Sequence, residues 1–315
     1  MSSMLTIALA VVLILSAFVI YTAQRDREIK ARFPATGKMT PLPGGIIHWT
    51  AQGSGPNVVL VHGLAGNKHN FSDLEKSLSK HFTVYSLDRP GSGHSHRHFS
   101  TDPSFSSQAN MIASWMEAEN INSAIFVGHS MGGAISLNLA INWPEKVDAL
   151  ALICPLTAPL SIKPSRIVQW YLRSRSLRFA IAKSFSPIIQ RKIGRKQVNA
   201  IFKPEPPSAE FAYRYGGALS MLSSAFLAAS NDLSHAQRSL HEQIARYSEI
   251  ICPVTVLFGE GDRILPYQPH TDMIKHSIPH AQIEVMENRG HMLPVTAVEA
   301  CVNVIEAIST KVKKI

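Results

Sequence analysis

Apolar residues along this chain fall in short unbroken runs, and the runs are separated by stretches of helical periodicity. Gly45–Thr50 (GIIHWT) predicts a first strand, closed by the turn signal Gln52-Gly53-Ser54-Gly55-Pro56. Val58–His62 (VVLVH), Phe82–Leu87 (FTVYSL), Ala124–Val127, Val147–Cys154 (VDALALIC), Val254–Phe258 (VTVLF) and Ile283–Val285 predict six more. Most are continuous and rich in β-branched residues, the mark of strands buried on both faces. Between them, Phe71, Leu74 and Leu78 recur at helical spacing within Phe71–Lys80. Phe105–Glu119, Met131–Asn142 (stopped by Pro144) and a stretch from about Thr296 to Thr310 also read as helices. Strands alternating with helices predict an α/β fold, a mostly parallel central sheet with helices on both faces. Residues from about 155 to 249 break the alternation. They are helical in pattern, cut by Pro187, Pro204, Pro206 and Pro207, and predict an insertion packed over one end of the sheet.

The N-terminus has a different pattern. Met4–Ala23 (MLTIALAVVLILSAFVIYTA) holds no charge, and its polar residues are Thr6, Ser16 and Thr22. An apolar stretch of about 20 residues is long enough to cross a bilayer as a helix. A cleaved signal would carry a base before the apolar core and small residues before the cut. No base precedes Met4, and Tyr21 is bulky, so an uncleaved transmembrane anchor over 1–23 is expected. Arg25, Arg27, Lys30 and Arg32 follow at once, which by the positive-inside tendency keeps the following domain on the cytoplasmic side. The expected organisation is therefore an anchor over 1–23, a juxtamembrane linker over 24–40, and one domain over 41–315 that carries the insertion.

Composition adds little to this: 45% hydrophobic and 17% charged residues describe an ordinary globular chain. Cys154, Cys252 and Cys301 are too few for a disulfide framework and too widely spaced for a metal knuckle, so they read as buried thiols. The net charge of +9 does change the picture, because it is concentrated. Pro155–Tyr215 holds twelve lysines and arginines against Glu205 and Glu210, with Trp170, Tyr171, Phe179 and Phe185 interleaved. Beside a membrane anchor, a basic surface bearing aromatics suits anionic lipid headgroups, and no nucleic-acid partner is expected.

In parallel sheets the ligand crevice lies beyond the carboxyl ends of the strands. His62-Gly63-Leu64-Ala65-Gly66, Asp88–Ser95 (DRPGSGHS), Gly128–Gly133 (GHSMGG), Gly259-Glu260-Gly261-Asp262 and Gly290-His291 all stand there. One crevice could thus collect a serine, an acid and a histidine. A serine hydroxyl needs a base to become a nucleophile at neutral pH. Histidine suits that role, a carboxylate fixes its tautomer, and backbone N–H groups stabilise the oxyanion. In Gly128-x-Ser130-x-Gly132, the glycines permit a sharp strand-to-helix turn that displays Ser130 in a strained pose. The N–H of Met131, in the first helical turn, and that of Leu64 are the oxyanion donors expected. His129 reads as pocket wall, and His62 as a brace of the oxyanion loop. His94, His96 and His98 alternate in a short loop without thiols or clustered carboxylates, so neither metal nor cofactor is expected.

These segments resemble the α/β-hydrolase fold family, from about Thr40 to the C-terminus. The resemblance is nearest to capped hydrolases with a helical insertion after the sixth strand. The family's order of nucleophile, acid and histidine implies Ser130, Asp262 and His291 as the catalytic triad. Glu260 is the rival acid in the same loop, and the LALICP strand end offers none. Dehalogenases and epoxide hydrolases of this fold carry aspartate where Ser130 stands, so the resemblance implies acyl chemistry: a membrane-anchored carboxylesterase or lipase acting on lipid-like or other small acyl esters. Acyltransferase, thioesterase, cofactor-free perhydrolase and carbon–carbon hydrolase activities share the same triad. A non-catalytic scaffold is the remaining alternative.

Overall fold

In the computed structural model, which describes residues 2–159 and 166–312, the chain opens with one long helix, α1 (Ser2–Arg32). There follow β1 (Lys38–Leu42), β2 (Gly45–Gln52), β3 (Asn57–Val61), α2 (Ser72–Leu78), β4 (Thr83–Leu87) and β5 (His96–Arg97). Next come α3 (Phe105–Ala118), β6 (Ala124–His129), α4 (Met131–Asn142) and β7 (Val147–Ile153). The insertion supplies α5 (Arg166–Arg173), α6 (Arg175–Phe202) and α7 (Ser223–Ile244). The chain closes with β8 (Val254–Gly259), α8 (Tyr267–Ser277), β9 (Gln282–Met286), α9 (Leu293–Thr296) and α10 (Val298–Ser309). Lys163, one of the bases of the insertion, lies outside the described residues.

The sheet runs in the order β1-β2-β4-β3-β6-β7-β8-β9, with β5 paired to β2. All pairings from β4 to β9 are parallel, and β2 is antiparallel to each of its neighbours. Every residue of β6 and of β8 is buried, as their unbroken apolar runs require when helices cover both faces. β1 was not foreseen. Its five residues KMTPL include a proline and bury only Thr40 fully, so a hydropathy pattern cannot distinguish this edge strand from loop.

α1 differs from the expected anchor-plus-linker. It does not stop at Ala23 but continues to Arg32, and Lys38 already opens β1, so 24–40 is not a separate linker. The outer part exposes its apolar side chains, among them Leu5 at 73% and Ile14 at 57%. The inner part docks on the insertion. Phe18 meets Phe185 with ring centroids 4.9 Å apart, and Asp26 accepts hydrogen bonds from the N–H (2.9 Å) and hydroxyl (2.5 Å) of Ser223. Ile29 and Phe33 pack on Leu219, Leu222 and Ala225.

Pro187 does not cut the insertion as its sequence predicts: α6 runs through it. A proline inside a helix cannot donate to the preceding turn, here to the Lys183 carbonyl. At the same turn Thr22 of α1, itself buried, donates to the Ser184 carbonyl at 2.9 Å and ties α1 to α6.

Candidate active site

Ser130 stands alone between β6 and α4, at φ 55° and ψ −121°. A non-glycine residue avoids this region because its Cβ crowds the backbone, at a cost of about 1–3 kcal/mol. Hydrogen bonds at the turn hold it in place. Its N–H donates to the Ile153 carbonyl (3.0 Å), and its carbonyl accepts from Leu156 (2.9 Å) and Gly133 (3.0 Å). The neighbouring glycines are required by contact rather than by dihedral freedom. A Cβ on Gly132 would lie 2.0 Å from the Val61 carbonyl oxygen, one on Gly128 2.6 Å from Gly133 Cα, and one on Gly63 2.9 Å from Ser130 Cβ. The loop after β3, where the sequence places an oxyanion donor, therefore lies directly against the serine.

Asp262 follows β8 and His291 follows β9. His291 Nδ1 donates to Asp262 Oδ2 at 2.6 Å, while Asp262 Oδ1 accepts from the N–H groups of Ile264 (2.8 Å) and Leu265 (2.9 Å). Burial would raise the Asp262 carboxyl, but the His291 ring and these hydrogen bonds outweigh it and hold the group below its ordinary range. With Nδ1 committed to the carboxylate, Nε2 keeps the lone pair. Glu260, the rival acid, is exposed.

His129 is not an open pocket wall. Its buried ring lies 4.9 Å from that of His291, and its Nε2–H donates to the His291 carbonyl at 2.9 Å. The residue before Ser130 thus ties down the loop that carries His291. Burial, reinforced by the nearby His291, pushes the His129 ring down to about 3, so it stays neutral. Cys154 Sγ also lies within 4.8 Å of the Asp262 and His291 ligand atoms, a geometry compatible with a metal. Burial and the adjacent Asp262 raise its thiol well above the ordinary range, so it donates to the Gly290 carbonyl (3.8 Å). His94 packs edge-on against His48, and His96 against His98.

The two N–H groups expected to serve as oxyanion donors stand on separate elements. Met131 N–H belongs to the first turn of α4 and has no acceptor within the helix. Leu64 N–H shares a peptide unit with the Gly63 carbonyl. His62 does brace this loop: its Nε2 accepts from Arg89 N–H (2.9 Å) and its Nδ1–H donates to the Gly63 carbonyl (2.8 Å). Burial, with the Arg89 charge adding to it, lowers His62 to about 3 and keeps the ring neutral for both bonds.

The insertion reaches the strand-end loops through residues that sequence reasoning missed. Glu205 accepts from Gly290 N–H (2.7 Å) and from Arg289 (3.0 Å), beside His291. Asn67 and Asn70 of the oxyanion loop donate to the carbonyls of Gly216 (2.8 Å) and Tyr215 (2.7 Å). Asp232 of α7 pairs with buried Arg89 at 3.0 Å. A signal for Asp232 did exist. Ala228, Asp232 and Ala236 share one buried stripe at four-residue spacing, and a carboxylate on such a stripe needs a buried partner.

The comparisons with known proteins agree with this fold. The profile of the alpha/beta hydrolase fold matches residues 56–298. A pimeloyl-[acyl-carrier protein] methyl ester esterase of Vibrio parahaemolyticus is 26% identical over 78% of this chain and 91% of its own. Lipase 3 of a Moraxella species is 25% identical over 93% of this chain and 88% of its own. Among solved structures, a membrane phospholipase A described as a bacterial virulence factor superposes with TM-score 0.66 at 21% identity, covering 98% of this chain and 97% of that one. A putative lipase from Acinetobacter baumannii gives TM-score 0.69 at 21% identity over 92% and 96%. With its mostly parallel sheet and a match over most of its length, the chain belongs to the α/β hydrolase fold family, among relatives named as lipases and esterases.

Proposed function

We propose that the protein is a membrane-anchored serine hydrolase that cleaves carboxylic esters of apolar acyl groups. The observation that carries this reading is the buried 2.6 Å Asp262–His291 hydrogen bond, with the His291 ring packed on that of His129, the residue before a serine held in a strained turn. His291 Nε2 takes the Ser130 hydroxyl proton as Oγ attacks the ester carbonyl. Leu64 and Met131 N–H groups hold the oxyanion. The tetrahedral adduct collapses, the C–O bond to the alcohol breaks, and His291 returns the proton to the departing alcohol. A water then attacks the acyl-Ser130 ester, gives its proton to His291, and releases the acid and the free serine. Asp262 keeps the imidazole in one tautomer throughout. The test is a fluorophosphonate probe followed by peptide mapping. Label on Ser130, blocked by prior incubation with a long-chain acyl ester, is expected; label elsewhere or none would sink the assignment.

The helices over 166–244 serve in this reading as a cap over the crevice, and α1 as the membrane anchor. Trp170 (66% exposed) and Phe179 (41%) stand among the bases of the insertion, and α1 leaves it with its apolar side chains uncovered. Both features support contact with an anionic bilayer that also supplies the substrate. A variant lacking residues 1–15 keeps the docking contacts of Phe18, Thr22 and Asp26. It is expected to bind phosphatidylglycerol vesicles at low salt and to release them at high salt, whereas the full chain stays bound at both. Equal salt response of the two proteins in vesicle flotation would count against the anchor.

A further inference from the structure

We propose that Arg89, held by Asp232 of α7, is a positioning residue that aims and polarises the Leu64 oxyanion donor, so that the insertion takes part in catalysis as well as covering the crevice. The inference rests on the reading of Ser130 as nucleophile given above.

The Gly63 carbonyl and the Leu64 N–H are two ends of one planar trans peptide, so they point in opposite directions and turn together. Three donors converge on that carbonyl: Arg89 Nη2 at 3.0 Å, His62 Nδ1 at 2.8 Å and Gly66 N–H at 3.2 Å. Holding the oxygen fixes the direction of the N–H. Donors on the oxygen also draw electron density from the amide and strengthen its N–H as a donor in turn. This peptide lies against the serine, since a Cβ on Gly63 would reach within 2.9 Å of Ser130 Cβ.

Arg89 itself has little freedom. It is 1% exposed, and its Nη1 donates to Asp232 Oδ2 (3.0 Å) and to Gln108 Oε1 (2.5 Å). Asp232 is 1% exposed, and its second oxygen pairs with Arg97 at 2.8 Å. The guanidinium is a rigid fork, so fixing one nitrogen on Asp232 fixes the other on Gly63. Lysine has one nitrogen on a flexible stem and cannot make both contacts. One residue of the loop between β4 and β5, one of β5, one of α3 and one of α7 thus form a single buried unit whose outlet is the oxyanion peptide.

The test compares full-length wild type with Asp232→Asn and Arg89→Lys, with turnover normalised to active sites titrated by fluorophosphonate. Ser239→Ala serves as control, because it loosens another attachment of the insertion, the hydrogen bond that the Ser239 hydroxyl of α7 accepts from Phe105 N–H. Both test variants are expected to lose about 10- to 100-fold in kcat with KM within about twofold, a fraction of what loss of an oxyanion donor costs. Affinity for an alkyl trifluoromethyl ketone, which forms the oxyanion on Ser130, should fall in step with kcat, while affinity for the product fatty acid stays unchanged. The control should keep wild-type kcat. Arg89→Lys keeps the charge that balances Asp232, so it remains informative if Asp232→Asn does not fold. Folded variants with kcat within twofold of wild type, or losses confined to KM, would overturn the proposal. A wild type whose Ser130 cannot be titrated would instead overturn the catalytic reading beneath it.

Discussion

Replacing Ser130 with alanine is expected to lower turnover of p-nitrophenyl acyl esters by about 10⁴- to 10⁶-fold while leaving the fold intact. The range follows from the way a triad acts as a unit. Without the nucleophile no acyl-enzyme forms, and what remains is rate enhancement by the oxyanion donors and by binding alone. The fold should hold because the serine hydroxyl caps nothing: no side-chain hydrogen bond from Ser130 closes the start of α4. Loss of the strained conformation is not at issue either, since alanine carries the same Cβ. Asp262→Asn should fall less, by about 10⁴-fold, because an amide beside His291 Nδ1 favours the wrong tautomer without removing any reacting group. Steady-state kinetics on purified, detergent-solubilised protein provide the check. A Ser130→Ala variant that keeps a tenth of wild-type activity would place the nucleophile elsewhere.

Mild acid is expected to unfold the protein. His62, His129 and His270 are all buried, and burial lowers them to about 3, 3 and 4. In the unfolded chain each returns to about 6.5. Their folded values lie below their unfolded ones, so the stability tied to keeping them neutral is complete above about pH 6.5. It is lost as pH falls towards 4, because the unfolded state takes up three protons that the folded state refuses. The slope is then about 4 kcal/mol per pH unit, against a total stability of about 5–15 kcal/mol. The structure shows why these rings cannot simply accept the proton. His62 Nε2 accepts from Arg89 N–H, and His270 Nδ1 accepts from the N–H groups of Thr157 (3.1 Å) and Ala158 (3.0 Å). Asp88 extends the loss to lower pH. Burial would raise its carboxyl, but its hydrogen bond from His48 and the charges around it hold it at about 2, so its contribution disappears below about 3.8. Glu75 acts in the opposite sense, since burial raises its carboxyl. Denaturant titrations between pH 7.5 and 5 should show the fall, and His270→Gln should make it shallower by about one proton. Equal midpoints at pH 7 and pH 5 would refute the expectation.

Much of the site could be read from the residues because each strand-end loop carries its own local requirement. Gly128-x-Ser130-x-Gly132 is a turn that only glycines allow, and Asp262 and His291 follow their strands directly. The partners that hold these residues were not legible in the same way. Glu205 looked like one of two acids in a basic stretch, yet it binds the Gly290 N–H from 85 residues away. Arg89 was one residue of the strand-end segment Asp88–Ser95, and nothing near it in sequence indicates that Asp232 waits on α7. Pro187 looked like a helix break, yet α6 runs through it.

By itself the sequence determined the alternation of strands and helices, the apolar N-terminal helix, and the chemistry offered at each strand end. These depend on side-chain polarity and backbone freedom over a few neighbouring residues. Only the tertiary structure decided where α1 ends and what it docks on, that His129 braces His291, and that the insertion grips the Gly63–Leu64 peptide through Asp232 and Arg89. The reason is physical. A buried charge or an orphaned carbonyl must find a partner, but nothing in its local sequence says which distant residue will supply one.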